Sequence, residues 1–312
     1  MKKIFWESKS ELNKIDWIKK TNKQCDIFLN NSPDDISYLY SYFSLNEHKE
    51  FVQEVVKKLN LNLKGVGLEL GSGPGILSFS LLKIFNTIDK ILLLDKVPNV
   101  YKLQDKVSKH LKLDDKVMSI TGDFNNLKLE DNSLDFVLDF DSIHHSDNFK
   151  KTFSEISRVL KSNGILLCFD RGQPNYVSKK HIEFLVNMEY NLQYKLENGI
   201  DPQQKFNRKM NGEHEPYLND WINVGKKNNL IGRVHIFHTR NLKNLIRNLY
   251  GLTPFFIRKI LKKGMNITTH YQIILNYFGI SKFKNMEIHN LNFKPKKSKT
   301  PKGKMVFVFF KV

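Results

Sequence analysis

Between residues 63 and 170 the chain alternates short, unbroken apolar runs with stretches of helical period. "GVGLEL" (65–70), "KILLLD" (90–95), "KVMSITGD" (116–123), "SLDFVLDFD" (133–141) and "GILLCFD" (164–170) are rich in apolar residues and too short for helices. Runs of that kind fit strands buried on both faces. Between them, "GILSFSLLKIF", "NVYKLQDKVSKHL" and "NFKKTFSEISRVLK" place apolar residues three and four apart, which predicts helices. Strands alternating with helices imply a parallel sheet covered on both faces. Upstream, "NEHKEFVQEVVKKLNLN" sets Phe51, Val55 and Leu59 on one helical face. Downstream of 171 the alternation stops, and "GRVHIFHT" and "GKMVFVFFKV" read as closing strands.

The predicted architecture is a doubly wound α/β chain in three parts. Residues 1–62 form a helical segment. Residues 63–172 form a Rossmann-like core within a seven-stranded, mostly parallel sheet. Residues 173–312 form a cap with closing strands near 231–239 and 304–311.

Composition narrows this. With 312 residues, 40% hydrophobic content and 23 Phe, the chain can bury a sizeable core. Two cysteines, Cys25 and Cys168, are too few for a disulfide framework or a structural zinc site. No apolar stretch reaches membrane-spanning length, and "MKKIFWESKSELNK" lacks the apolar run of a signal peptide. A cytoplasmic location is expected. Net charge is +18, unevenly spread: residues 1–172 hold 25 Lys+Arg against 24 Asp+Glu, and residues 173–312 hold 25 against 8. That asymmetry points the second half toward something anionic.

The chemistry concentrates at strand ends. "LELGSGPGILSFSLL" places Gly71, Gly73 and Gly75 where the first core strand meets its helix, with Glu69 two residues before. Glycines there let backbone approach a ligand beyond the strand ends, beside the free N–H groups of a helix start. The spacing is G-x-G-x-G, with Ile76 where a dinucleotide fingerprint wants a glycine. An NAD-dependent oxidoreductase is disfavoured on that ground, and the Tyr40 and Tyr101 neighbourhoods carry no Tyr-x-x-x-Lys pair.

These residues, followed by Asp95 in "ILLLD", Asp123 and Phe124 in "TGDF", "DFVLDFDSIHH" and "RVLKSNGILLCFD", resemble the ordered motifs of class I S-adenosylmethionine-dependent methyltransferases, closest to the small-molecule type 11 group. The resemblance covers roughly 63–170. It implies S-adenosylmethionine as cofactor, held by Glu69, Gly71, Ser72, Gly73, Gly75, Asp95, Asp123, Phe124 and Asp139. The resemblance further implies that Asp95 meets the ribose hydroxyls, Asp123 the adenine amine and Phe124 the ring. His144 and His145 follow the fourth strand beside the expected transfer point, and one of them is a candidate general base. Adjacent histidines do not share a face and are not spaced as metal ligands, so no metal is expected.

The acceptor is narrowed by what is missing. Amino-group methylation of bases typically shows Asn/Asp-Pro-Pro-aromatic after the fourth strand, and this chain reads "DFDSIHH". Carbon-5 methylation of cytosine needs a cysteine nucleophile, and Cys168 sits inside an apolar strand. An O-methyl acceptor that is small and anionic or sugar-containing leads. Glu213, His214 and Tyr217, before a helix with Asn219 as its cap, are candidates to line its pocket. "RNLKNLIRNLYGLTPFFIRKILKK" (240–263) carries seven basic residues and no acid, and is a candidate for peripheral contact with the anionic inner membrane face. The alternatives are an RNA or other nucleic-acid methyltransferase, although no recognised binding module is seen, and a non-catalytic cofactor-binding scaffold.

Overall fold

The computed structural model describes residues 1–12, 14–31, 45–197, 200–239, 283–288 and 303–312. Within these, nine strands form one sheet: β1 (Lys2–Phe5), β2 (Gly65–Leu70), β3 (Ile88–Asp95), β4 (Val117–Thr121), β5 (Leu134–Phe140), β6 (Leu160–Phe169), β7 (Leu230–Thr239), β8 (Phe283–Glu287) and β9 (Gly303–Lys311). The spatial order is β1-β4-β3-β2-β5-β6-β9-β7-β8. From β1 to β6 all pairings are parallel, and β9 pairs antiparallel with β6 and β7, as β8 does with β7.

The unbroken apolar runs follow from helices on both faces. In β3, Ile91 and Leu93 enter one core cluster while Leu92 and Leu94 enter the other. In β6, Leu167 and Phe169 alternate in the same way with Leu166 and Cys168. Within these central runs both faces leave water, so no polar alternation survives there. The covering helices include α4 (Ile76–Leu82), α5 (Val100–Leu111) and α6 (Phe149–Val159), the core helices predicted from the sequence.

The N-terminal part holds α1 (Lys9–Leu12), α2 (Asp16–Asn31) and α3 (Leu45–Leu59). The expectation of a purely helical 1–62 misses β1, which extends the sheet by pairing Lys2–Phe5 with Met118–Thr121. Its four residues are exposed and carry no alternation, so only the open edge of β4 reveals them. Strands β1 and β8 flank the seven expected and enlarge the sheet to nine. The closing strands appear as β7 and β9. Between β6 and β7 lie α7 (Lys179–Asn187), α8 (Leu192–Glu197) and α9 (Leu218–Lys227). Asn219 does not cap α9: Tyr217 precedes the helix, and Asp220 Oδ2 accepts the Tyr217 N–H at 2.9 Å. The basic 240–263 stretch lies outside the described residues. Among the described residues, no helix is long and apolar enough to cross a membrane.

Candidate active site

The carboxyl ends of β2, β3, β5 and β6 open on one edge of the sheet, as a parallel doubly wound topology requires. After β2 the backbone turns through Gly71, Gly73 and Gly75 with φ of 54°, 48° and 84°, a region other L-residues rarely adopt. A Cβ at Gly71 would lie 2.5 Å from Ser142 Cβ, whereas one at Gly73 would meet nothing within 4 Å. The loop is therefore packed below and open above Gly73.

Three polar side chains hold this loop. Asp95 Oδ2 accepts the Gly73 N–H and Oδ1 accepts the Val97 N–H, both at 2.8 Å. Burial pushes the Asp95 carboxyl above its usual range, against these hydrogen bonds. Gln104 donates to Gly73 O at 2.7 Å and to Ser72 Oγ at 3.1 Å, leaving its buried Oε1 without a partner. Glu69 is 1% exposed and accepts from the Ser78 N–H and hydroxyl, which ties β2 to the first turn of α4. Burial raises its carboxyl to about 8 despite those bonds.

Asp123, just past β4, receives Lys96 Nζ at 2.7 Å and the Asn125 N–H at 2.7 Å, and Phe124 packs on the core beside it. Helix α2 lies across the β3–α5 connection. Asn22 Oδ1 accepts the Asn99 N–H at 2.7 Å, and Asp26 holds Asn99 at 2.8 Å and Lys102 at 2.6 Å. Cys25 on this helix is buried, and burial with the nearby Asp95 charge pushes its thiol up to about 12. Cys168 is pushed up as well, by burial and then by Asp139. Neither thiol is prepared to act as a nucleophile.

Beyond the loop lies a buried polar cluster. A 3₁₀ turn over Ile143–His145 follows β5, and Asp139 Oδ1 holds it by accepting from Ser142 Oγ at 2.6 Å, Ser142 N at 3.2 Å and Ile143 N at 2.8 Å. Ser142 Oγ also reaches Leu70 O at 2.7 Å, joining this turn to the glycine loop. His144 is 1% exposed, with Nδ1 2.6 Å from Asp170 Oδ1 and Nε2 3.5 Å from Glu213 Oε2. Burial alone would lower its pKa, but Asp170 and Glu213 raise it to about 9. His145 sends Nδ1 to Gly212 O at 3.0 Å and is lowered by burial and by His144. Arg171 bridges Glu213 Oε2 at 2.6 Å and Asp141 Oδ1 at 2.8 Å. Glu213 also accepts from Tyr190 OH at 2.9 Å, and Arg208 lies 3.4 Å from its Oε2 while pairing with Glu215. Burial would raise the Glu213 carboxyl, but His144 and Arg171 hold it well below the usual range.

The structure thus brings Glu69, Gly71, Ser72, Gly73, Gly75 and Asp95 together as one loop assembly, with Asp123 and Phe124 on the neighbouring strand end. Asp139 is fully buried and spends Oδ1 on the histidine turn, so its action on a ligand is indirect. Of the pocket candidates, Glu213 enters the cluster. His214 does not: alternation along the segment turns Glu213 and Glu215 inward and leaves His214 exposed. Tyr217 braces the segment through OH to Val177 O at 3.0 Å. The two histidines do not diverge as expected: with His144 Nδ1 held by Asp170 and His145 Nδ1 by Gly212 O, their ring centroids lie 4.1 Å apart. Asp170, Arg171, Arg208 and Lys96 were not singled out in the sequence. The acid closing "GILLCFD", on the strand beside the histidine turn, was the available signal for Asp170.

Residues 68–168 match the family model described as a methyltransferase domain. The demethylmenaquinone methyltransferase of Staphylococcus saprophyticus is 26% identical over 149 residues, which are 48% of this chain and 62% of that protein's length. Among solved structures, the YcgJ protein of Bacillus subtilis is 16% identical with a TM-score of 0.49, covering 85% of this chain and 98% of that one. A phosphoethanolamine N-methyltransferase of Haemonchus contortus is 18% identical with a TM-score of 0.47, covering 83% and 52%.

Proposed function

We propose, from the premise that residues 68–168 are a class I S-adenosylmethionine-dependent methyltransferase domain of the type 11 group, that the whole chain methylates a hydroxyl oxygen of a small, sugar-like acceptor. The supporting observation is the link between two half-sites: Ser142 connects the open glycine loop to the buried His144 cluster.

The loop fits the cofactor. Space above Gly73 leaves its backbone approachable, and each Asp95 oxygen, with one N–H bond, keeps a lone pair for a ribose hydroxyl. Gln104 Oε1 is a buried acceptor still lacking a donor. Asp123 and Phe124 flank the adenine end, and α2 closes over the β3–α5 connection to exclude water. When bound, S-adenosylmethionine supplies an electrophilic methyl carbon. The protein's remaining tasks are to align the acceptor oxygen and keep water out.

The half-exposed Arg171 and the exposed Asp141, with Glu213 behind them, offer paired donors and acceptors of the kind that recognise vicinal hydroxyls. His144, held at about 9, is a proton donor near neutrality and becomes a base only when the acceptor displaces one of its carboxylate partners. An anionic acceptor, or contact with an anionic membrane, would draw on the basic 240–263 stretch outside the described residues. The test is transfer of labelled methyl from S-adenosylmethionine to a panel of monosaccharides, nucleotide sugars, quinols and RNA. Labelled sugar ether supports the reading. Label in RNA alone replaces it with the nucleic-acid alternative, and cofactor binding without transfer to any acceptor replaces it with the scaffold.

A further inference from the structure

The ligand atoms of His144, His145 and Glu213 lie within 4.8 Å of one another in the interior of the polar cluster. We propose that they bind a borderline divalent transition-metal ion such as Zn²⁺ or Co²⁺, with a further coordination position left open toward the acceptor. Binding of the ion stands on these residues alone, whereas its role toward an acceptor oxygen rests on the methyltransferase reading.

The first argument is the assignment of nitrogens. Asp170 Oδ1 accepts the Arg171 N–H at 2.6 Å, and Oδ2 accepts the His144 N–H at 3.0 Å. Asp170 is therefore an acceptor, and His144 Nδ1 donates to it. Gly212 O is only an acceptor, so His145 Nδ1 donates as well. In the neutral imidazole each Nε2 then carries a lone pair. Metal-ligating histidines are oriented in this way, by a carboxylate or carbonyl on the far nitrogen.

The second argument is an unpartnered atom. His144 Nε2 is buried without a hydrogen bond, and it faces Glu213 Oε2 across 3.5 Å. That gap is long for a hydrogen bond. It suits two ligands on one tetrahedral ion, whose donors sit about 3.3 Å apart for metal–ligand bonds near 2.0–2.1 Å. Glu213 is itself oriented, by Arg171 and Arg208 at Oε2 and Tyr190 at Oε1, as ligating carboxylates usually are.

The third argument is charge. Asp141, Asp170, Glu213 and Glu215 surround this point against Arg171 and Arg208. Two histidines and one carboxylate form a donor set that suits a catalytic Zn²⁺, an ion that commonly leaves a fourth position to water or substrate. An acceptor hydroxyl on that position would be acidified beside the transfer point, supplying the deprotonation that a clamped His144 does not provide.

The competing occupant of the gap is a proton, with His144 a clamped imidazolium. Chelator-treated full-length protein titrated with Co²⁺ separates the two. One equivalent giving the intense visible bands of low-coordinate cobalt, displaced by Zn²⁺, is the expected result. Affinity should fall at least about tenfold in His145→Ala and about 10- to 100-fold in Asp170→Asn. Glu213→Gln tests the carboxylate, and circular dichroism with S-adenosylmethionine titration establishes that each variant is folded. Absent cobalt bands in wild type, or bands unchanged in folded His145→Ala and Glu213→Gln, overturn the site. Since cobalt binding is read without cofactor, its failure is distinct from failure of the methyltransferase reading.

Discussion

His144 Nδ1 meets Asp170 Oδ1 at 2.6 Å, with both side chains at 0% exposure, although 26 residues separate them. Parallel pairing of β5 with β6 places the ends of both strands side by side and makes this contact. Asp170→Asn keeps the shape but replaces an acceptor oxygen with a group that can donate, so the ring loses its orientation. Methyl-transfer kcat should fall about 10- to 100-fold while S-adenosylmethionine affinity stays within twofold, as for loss of an orienting outer-shell partner. Steady-state kinetics beside calorimetry checks this. Equal losses in both would mean that Asp170 serves only the fold.

Gly71 and Gly73 separate packing from binding. Both have positive φ, so alanine at either incurs backbone strain of about 1–2 kcal/mol. Gly71→Ala also drives a methyl into Ser142, and the melting temperature should drop clearly further than for Gly73→Ala. Gly73→Ala fills only open space, so it should lose S-adenosylmethionine affinity while remaining folded. Thermal unfolding and calorimetry of the two variants decide this.

Glu69 gives stability a pH slope. Its folded value is about 8 against an ordinary 4.5. Between those limits the folded protein keeps a proton that the unfolded chain releases. Stability from this group therefore falls as pH rises from about 4.5 to 8, levels above that, and is unaffected below about 4.5. Glu69→Gln removes the slope. Denaturant unfolding at pH 5 and pH 8.5 should show the variant gaining on wild type at the higher pH, by an amount on the order of a few kcal/mol. A constant difference across pH would contradict the buried-proton assignment.

Lys96 reaches Asp123 at 2.7 Å across neighbouring strand ends. Half-exposed ion pairs of this kind contribute about 0–1 kcal/mol, so Lys96→Ala should barely move the melting temperature. It frees Asp123 for a ligand amine, and S-adenosylmethionine affinity should hold or rise. A tenfold loss would show that Lys96 itself contacts the cofactor.

The loop half of this site was legible in the sequence because its signals are local. Glu69, three glycines and Asp95 sit at strand ends that unbroken apolar runs announce, and backbone φ restricts what can replace the glycines. The other half depends on pairing. Asp170 and His144 meet through strand register, and Glu213, a pocket candidate in the sequence, meets His144 only once the chain has folded. The close approach of the His144 and His145 rings follows from their partners, Asp170 and Gly212 O, which nothing in "SIHH" specifies. Strand β1 was invisible for a different reason: its four exposed residues acquire meaning only against the edge of β4.

The central claim, a methyltransferase site built on the Gly71–Gly75 loop, is tested most directly by calorimetric titration. Purified full-length protein and Asp95→Ala are titrated with S-adenosylmethionine, S-adenosylhomocysteine and NAD. Micromolar binding of the first two should appear, with NAD silent and affinity lost by about tenfold or more in Asp95→Ala, which gives up hydrogen bonds to a charged group. Binding of NAD in place of S-adenosylmethionine would contradict the account.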